Sequence, residues 1–489
     1  MVKTYLGASG SVATVANETS FWPLGGKITK GTGEANRATI FRSTGTITNL
    51  YVRVTANSIA GNSTVLTRKN ATTDGNNTVT IGSSATGEFT DTTNSDTVAA
   101  ADTWLYKFVP GAATNTMTFS LMSCIFSADT DTVTRTETTW NTNVTTASTT
   151  WFVALLGDST TAVTTETNAK HRIRVAGTLK NGACRVTTAR ATASTVKSRK
   201  NAADGTISIS CTAGGTGQFE DTTHSDTVSA GEDWNWSITT GTGVDTLNIA
   251  SISGDFVSTN GDSLVGTSDM VTVAYPDAAT GFTQISGRHT NVATEANTKA
   301  DCRIAGDYKE LTCLVTQNGV SSASSLVLRK NGTDTTLIAS ITGSTTGVFS
   351  DSTHTVTLVS TDEVNYSIVI PSVAGSQTVS ITNIIMVIKA PNALVRALST
   401  ETTSISDSIA RLLAATRAPS TETTSSGETL ARMIAANRAL STETTTVGES
   451  LARSKGQTRA LSTETVTSGE SLARMLAATR NPVENTAVG

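Results

Sequence analysis

Residues 194–228 read STVKSRKNAADGTISISCTAGGTGQFEDTTHSDTV. Residues 63–98 read STVLTRKNATTDGNNTVTIGSSATGEFTDTTNSDTV, and residues 324–358 read SSLVLRKNGTDTTLIASITGSTTGVFSDSTHTVTL. The three stretches share landmarks in one order. Arg68-Lys69-Asn70 returns as Arg199-Lys200-Asn201 and Arg329-Lys330-Asn331, at spacings of 131 and 130. Thr86-Gly87-x-Phe89-x-Asp91 returns as Thr216-Gly217-x-Phe219-x-Asp221 and Thr346-Gly347-x-Phe349-x-Asp351. Upstream, Glu34-Ala35-Asn36 matches Glu166-Thr167-Asn168 and Glu295-Ala296-Asn297. A glycine follows in each copy (Gly45, Gly177, Gly306), then a short Val-Thr strand (Val54-Thr55, Val186-Thr187, Val315-Thr316). Two copies place a tryptophan after the Asp-Thr-Val segment, Trp104 and Trp234, where the third has Val364-Asn365-Tyr366. Internal repetition at a fixed period is the primary signal of a tandem architecture. The chain holds three units of roughly 125–130 residues, within the usual size range of one domain each.

Each unit reads as all-β. Apolar and threonine residues alternate over short runs such as 50–55, 78–81 and 326–329, punctuated by turn pairs such as Asp204-Gly205 and Asn331-Gly332. About eight short strands with turns at this spacing make a β-sandwich of jelly-roll or immunoglobulin-like kind, and sequence leaves both topologies open. Composition agrees. The 489 residues carry 36 basic and 40 acidic side chains, a net charge of −4, and only 16% charged residues in all. The average soluble protein has ~25%. Threonine, serine, alanine and asparagine take the place of charge, and β-branched threonine suits a half-buried pleat. Collagen-like, wholly disordered and strongly basic nucleic-acid-binding classes are excluded, and no apolar run reaches the ~18 residues of a membrane helix.

The five cysteines, at 124, 184, 211, 302 and 313, form no metal-ligand spacing. Cys211 falls where sister copies have Ile81 and Ile341; Cys302 aligns with Phe41 and Ile173; Cys184 and Cys313 share a position with Val52. They read as small core hydrophobes without a need for disulfides. The N-terminus, MVKTYLGASGSVATVANETSFW, lacks the apolar core of a secretory signal.

From residue 391 onward there is no Phe, Trp, Tyr, Cys or His, and the period becomes 21. Arg396, Arg417, Arg438, Arg459 and Arg480 obey it, as do Glu401, Glu422, Glu443 and Glu464, and Arg411, Arg432, Arg453 and Arg474. Leu430, Met433 and Ile434, like Leu472, Met475 and Leu476, lie at i, i+3, i+4. That spacing predicts short amphipathic helices that need partners; an all-strand shaft is the competing expectation. The interleaved Arg and Glu residues read as salt bridges between repeats.

Three features could carry chemistry. Arg-Lys-Asn at 68, 199 and 329 reads either as a basic hairpin tip meeting an acidic neighbour or phosphate, or as a solvated strand end. Asp221-Thr222-Thr223-His224-Ser225-Asp226 sets two carboxylates around a histidine, and Asp351-Ser352-Thr353-His354 repeats half of it. Asp91-Thr92-Thr93-Asn94 lacks the imidazole, which favours Asx and Ser/Thr turns over a metal site. The four histidines (171, 224, 289, 354) share no Cys or His partner at useful spacing, and no hydrolase, kinase or dinucleotide motif occurs. The expectation is no catalytic, cofactor or metal residue, and no enzyme.

The pattern S-x-V-x-x-R-K-N, then T-G-x-F-x-D-T-T-H-S-D-T-V and A-G-x-D-W, resembles surface β-sandwich modules of tailed-bacteriophage structural proteins, of capsid-decorating, head-fibre or tail-fibre type. The resemblance covers roughly residues 20–390, and the third copy departs by lacking the Trp and the S-D-T. It implies a non-enzymatic structural protein on the virion surface, assembled in the host cytoplasm, with major capsid or other virion proteins as partners, and homotrimers; no nucleic acid or membrane is involved. The expected organisation is an arm (1–19), sandwiches at 20–127, 148–258 and 272–390 separated by linkers at 128–147 and 259–271, and a docking or oligomerisation segment of four repeats at 391–489. A tail fibre that recognises host glycans is the first alternative, with Trp234 and Trp236 as candidate platforms; a microbial surface filament is the second.

Overall fold

The computed structural model describes residues 2–389, except 16–17, 29–30, 32, 113, 130–132 and 160–162, together with short strands between 401 and 486. No α-helix occurs among the described residues. The chain divides into two compact units, Met1–Pro391 and Asn392–Gly489.

In the first module the strands are β1 (Lys3–Val15), β2 (Ser20–Trp22), β3 (Gly26–Lys27), β4 (Thr39–Ile40), β5 (Gly45–Asn57), β6 (Ser63–Lys69), β7 (Thr73–Ile81), β8 (Gly87–Val98), β9 (Thr103–Val109) and β10 (Thr116–Ala128). One sheet runs β3-β1-β10-β5-β8 and the other β2-β9-β6-β7, with β4 added beside β9. Setting the short β3 and β4 aside, eight strands cross back and forth between two four-stranded sheets in jelly-roll order. The immunoglobulin order, with A, B, E and D in one sheet, does not occur. The second module repeats this order with Val133–Thr139, Asn248–Ser258, Gly177–Thr188 and Gly217–Val228 in one sheet. The third does so with Asp262–Pro276, Thr378–Lys389, Gly306–Asn318 and Gly347–Leu358.

Three stretches expected to lie outside the sandwiches are strands. The proposed arm contains β1, paired along its length with β10. The proposed linkers contain Val133–Thr139 and the start of Asp262–Pro276, each the first strand of the module that follows. Their polarity concealed them. Val133–Thr139 reads V-T-R-T-E-T-T, yet every residue in it is buried, because neighbouring modules cover the strand as well as its own.

The aligned cysteines occupy the positions their sister residues predict. Val52, Cys184 and Cys313 each stand opposite the repeated phenylalanine, Phe89, Phe219 and Phe349. All five cysteines are buried and free; Cys184 and Cys211 approach to 3.5 Å between sulfurs without a bond. Burial pushes the thiols of Cys124 and Cys313 up to about 12, so they pack as hydrophobes and not as nucleophiles.

In the C-terminal unit, parallel strands pair in register one repeat apart: Glu401 with Glu422, Glu422 with Glu443, Glu443 with Glu464, and Arg411 with Arg432. Thr429–Ile434, expected as a helix, is a strand that pairs with Ser450–Arg453. An isolated helix of two turns is marginal alone, whereas in the ladder the described strands pair with those one repeat away. The other candidate helix, at 472–476, lies outside the described residues.

The modules meet at three glycines, Gly26, Gly157 and Gly287, spaced 131 and 130 apart in sequence. All are in the left-handed region, at φ of 80°, 92° and 85°. A Cβ on Gly26 would lie 2.7 Å from the Gly157 carbonyl oxygen; one on Gly157, 2.7 Å from that of Gly287; one on Gly287, 2.8 Å from that of Gly26. The contact is cyclic, so the three jelly rolls surround a pseudo-threefold axis. The strand Gly157–Asp158 lies between the first strands of modules two and three and joins their sheets into one of ten strands. Gly157→Ala should therefore destabilise by about 3 kcal/mol or more, combining a backbone collision with positive φ. Gly87→Ala, at φ 106° with nothing within 4 Å of a Cβ, should cost only the backbone strain of about 1–2 kcal/mol. Denaturant unfolding of the two variants checks the difference; equal losses would remove the axial contact from the account.

Candidate functional site

The repeated basic triplet and the repeated Glu-x-Asn triplet, separate in sequence, meet in space. Glu34–Asn36, Glu166–Asn168 and Glu295–Asn297 are single 3-10 turns. Their glutamates receive the guanidinium of the Arg in the same module. Arg68 Nε donates to Glu34 at 2.6 Å, Arg199 donates to both Glu166 oxygens at 2.9 Å, and Arg329 Nε donates to Glu295 at 2.6 Å. The same Arg pairs with the hairpin carboxylate, Asp74, Asp204 or Asp334, and donates to a hairpin carbonyl. Arg199 and Arg329 also stack on Phe152 and Phe282, 5.6 Å from the ring centroids. The neighbouring lysine pairs with Asp102, Glu232 or Asp362. Asn70, Asn201 and Asn331 hold the turn at φ near 50°. The triplet is thus neither a solvated strand end nor a phosphate-seeking tip; its acidic neighbour lies in its own module.

The Asp-Thr-Thr-His loops are Asx turns. Asp221 accepts from the backbone N–H groups of Thr223 and His224 (both 3.1 Å), from Ser208 N–H (2.8 Å) and from the His224 ring at 2.9 Å. Asp351 has the same partners, with Ile338 donating. In the first module the Asn94 amide replaces the imidazole at 2.9 Å. Burial pushes these carboxyls up, but the convergent backbone and side-chain donors outweigh it and hold Asp91, Asp221 and Asp351 at about 2. No cluster of three or more His, Cys, Asp or Glu suited to a metal exists among the described residues.

The other singled-out side chains are core. Trp104, Trp234 and Trp236 are buried, so neither Trp234 nor Trp236 offers a face to a glycan. Desolvation lowers buried His171 and His289 to about 3. Tyr275 Oη lies 2.6 Å from His289 Nε2, and Leu155 N–H donates to His171 Nδ1 at 3.2 Å.

What sequence reading missed is the axis. A hydroxyl from the first strand of each module grips the glycine segment of the preceding one. Arg288 N–H donates to Ser9 Oγ (2.6 Å), Lys27 N–H to Thr139 Oγ1 (2.9 Å), and Ser268 Oγ to the Asp158 carbonyl (2.9 Å). The Gly26, Gly157, Gly287 spacing is the same 131 and 130, so the signal was present; glycine and serine are common enough here to hide it.

Ala8, Thr138 and Thr267 stand opposite the three glycines, so Tyr5, Arg135 and Leu264, three residues earlier, are equivalent. The three junctions differ there. Between modules three and one, Tyr5 Oη donates to Asp301 O (3.2 Å) and Tyr51 Oη to Lys299 O (3.3 Å). Between two and three, Leu264, Ile385 and Val387 complete the second module's core beside Leu156. Between one and two, Arg135 stacks on Phe41 at 4.6 Å and faces Glu137 and Asp255 at 3.9 and 3.8 Å. Thr39 Oγ1 donates to Glu137 at 2.6 Å, Ser43 Oγ to Asp255 at 2.9 Å, and Arg42 pairs with Glu220. Burial moves both Arg135 and Glu137 toward their neutral forms, and their mutual attraction opposes it.

Arg199→Ala should lower stability by about 1–2 kcal/mol, and Arg199→Lys should recover less than half, because a lysine cannot span Glu166 and Asp204 as a fork does. Chemical denaturation checks both; full recovery by lysine would reduce the clamp to simple charge. The three loop carboxylates set an acid limb. Their folded pKa lies below the unfolded value, so their stabilisation is complete above pH ~4 and lost as pH falls toward ~2. Asp221→Asn and Asp351→Asn should destabilise at neutral pH and flatten the stability-versus-pH curve across that window; an unchanged slope refutes the assignment.

No protein-family model matches the chain, and no curated protein does. Solved structures similar to this chain include the following two. One, described as the triple jelly roll fold and turret assembly in an archaeal virus, is 13% identical, spans 79% of this chain and 91% of its own, and has a TM-score of 0.16. The other, described as the atomic structure of Sulfolobus Turreted Icosahedral Virus, is 12% identical, spans 80% and 97%, and has a TM-score of 0.18. Scores this low assign neither family nor function, and the fold stands on the strand order above.

Proposed function

We propose that this chain is a structural component of a virion, a capsid-surface decoration or head-fibre protein that works by protein–protein contact. The observation that carries the reading is the ring: one polypeptide folds three jelly rolls around a common axis at Gly26, Gly157 and Gly287, while its repeated charged motifs are spent inside each module. The recurring Arg, Glu and Asp side chains close clamps within modules. The largest recurring aromatics fill cores. What remains outward is a rigid surface rich in hydroxyls and low in charge, suited to shape-based contact with neighbouring proteins. The sequence resemblance to phage surface modules points the same way. Major capsid or other virion proteins are the partners, residues 391–489 serve docking or oligomerisation, and the internal threefold lets one chain stand where a homotrimer otherwise would.

Imaging of particles purified with this protein, with the chain located by a specific antibody fragment, tests the reading. Density for a three-lobed ring on the head supports it. Location on a tail tip, or saturable binding of the purified chain on a host-glycan array, overturns it in favour of receptor recognition; shortened host capsule after incubation would establish an enzyme instead.

A further inference from the structure

We propose that the pseudo-threefold axis holds a buried structural water that joins the first two modules through Arg135 and Glu137. A cavity of about 20 Å³ lies on the axis, lined by all three modules, among them Tyr5, Arg135, Glu137, Leu264, Ser286 and Gly157. This exceeds the ~10–15 Å³ that a single water requires. Residues that line it carry polar atoms without a direct hydrogen-bond partner: Nε and Nη2 of Arg135, Oε2 of Glu137 and Oγ of Ser286. These residues are 3%, 4% and 3% exposed, so bulk solvent does not serve them. Arg135 Nε and Glu137 Oε2 stand 3.9 Å apart, beyond a direct hydrogen bond and in the range where a bridging molecule is to be sought.

The donor set selects the occupant. Arg135 can only donate, and the Glu137 carboxylate can only accept. A halide could accept from Arg135 but has nothing to give Glu137. A metal cation could serve Glu137 but would be repelled by Arg135. Water both accepts and donates, and the Ser286 hydroxyl supplies a third partner of either kind. Three hydrogen bonds are the usual complement of an internal water. The site is peculiar to one of the three junctions. Gly7 and Gly266 occupy the positions equivalent to Glu137, so at this position only the first-to-second junction has a carboxylate.

A crystal structure of the full chain at high resolution tests this. The expected result is a density peak in the cavity about 2.7–3.2 Å from an Arg135 nitrogen and from a Glu137 oxygen. A cavity without density, or a direct Arg135–Glu137 hydrogen bond that closes it, overturns the proposal. So does an anomalous peak there after a bromide soak, which would make the site an anion site. In solution, oxygen-17 magnetic relaxation dispersion should show one fewer slowly exchanging water in the folded Arg135→Met/Glu137→Leu double variant than in the parent. An equal number would count against the site. If the double variant does not fold, the parent crystal decides.

Discussion

The backbone contact at Gly26, Gly157 and Gly287 is the constraint on which the remaining architecture rests. A side chain at any of the three would meet a neighbouring module's carbonyl or amide within 3 Å, and all three adopt a conformation that L side chains rarely take. Their absence of a Cβ lets three backbones approach, and the hydroxyls of Ser9, Thr139 and Ser268 supply the hydrogen bonds that make the approach favourable. Once the modules are this close, Val133–Thr139 is covered on both faces. That is why threonines in Val133–Thr139 are buried; Thr136 Oγ1 donates to the Gly254 carbonyl, Thr138 and Ser159 share a hydrogen bond, and Thr134 Oγ1 alone of these has no partner. Such partners matter, since an unmade buried hydrogen bond costs about 1–3 kcal/mol.

Symmetry holds in the backbone and fails in the side chains. The equivalent positions Tyr5, Arg135 and Leu264 face Ile125, Asp255 and Val387. Each pair fits its own junction and no other. An aliphatic side chain set against Asp255 would leave a carboxylate buried without a cation, a loss of roughly 3–5 kcal/mol. The Arg135 cluster is not thereby the most stabilising contact, because desolvation offsets much of the Coulomb gain and apolar replacements of such clusters are often neutral or better.

The sequence disclosed the module and concealed the assembly, for reasons visible in particular residues. The triplication, the all-β class and the core role of the cysteines were legible because Phe89, Phe219 and Phe349 and their neighbours recur in register. The choice of jelly roll over immunoglobulin order was not legible, since both produce the same alternation and turn spacing. Nor was the clamp, although both halves were noticed: Arg68 and Glu34 are 34 residues apart, and nothing local to either names the other. The strands at Lys3–Val15 and Val133–Thr139 were missed because alternation reports a strand with one wet face. A strand buried on both faces by polar partners loses that pattern.

The chain uses repetition at two scales with opposite geometric outcomes. At about 130 residues a repeat is large enough to bury its own core, so copies interact through surfaces and can close on themselves. Three do, and a closed set has room for divergence at each contact. At 21 residues a repeat has no core of its own, and its backbone must find partners in the copies before and after it. The C-terminal strands accordingly pair Glu443 with Glu464 and Arg438 with Arg459, like on like along a parallel ladder. The ladder keeps a step of 21 residues from Glu401 to Glu464 and then takes one of 20, to Glu484, whereas the ring requires register only where Gly26, Gly157 and Gly287 meet.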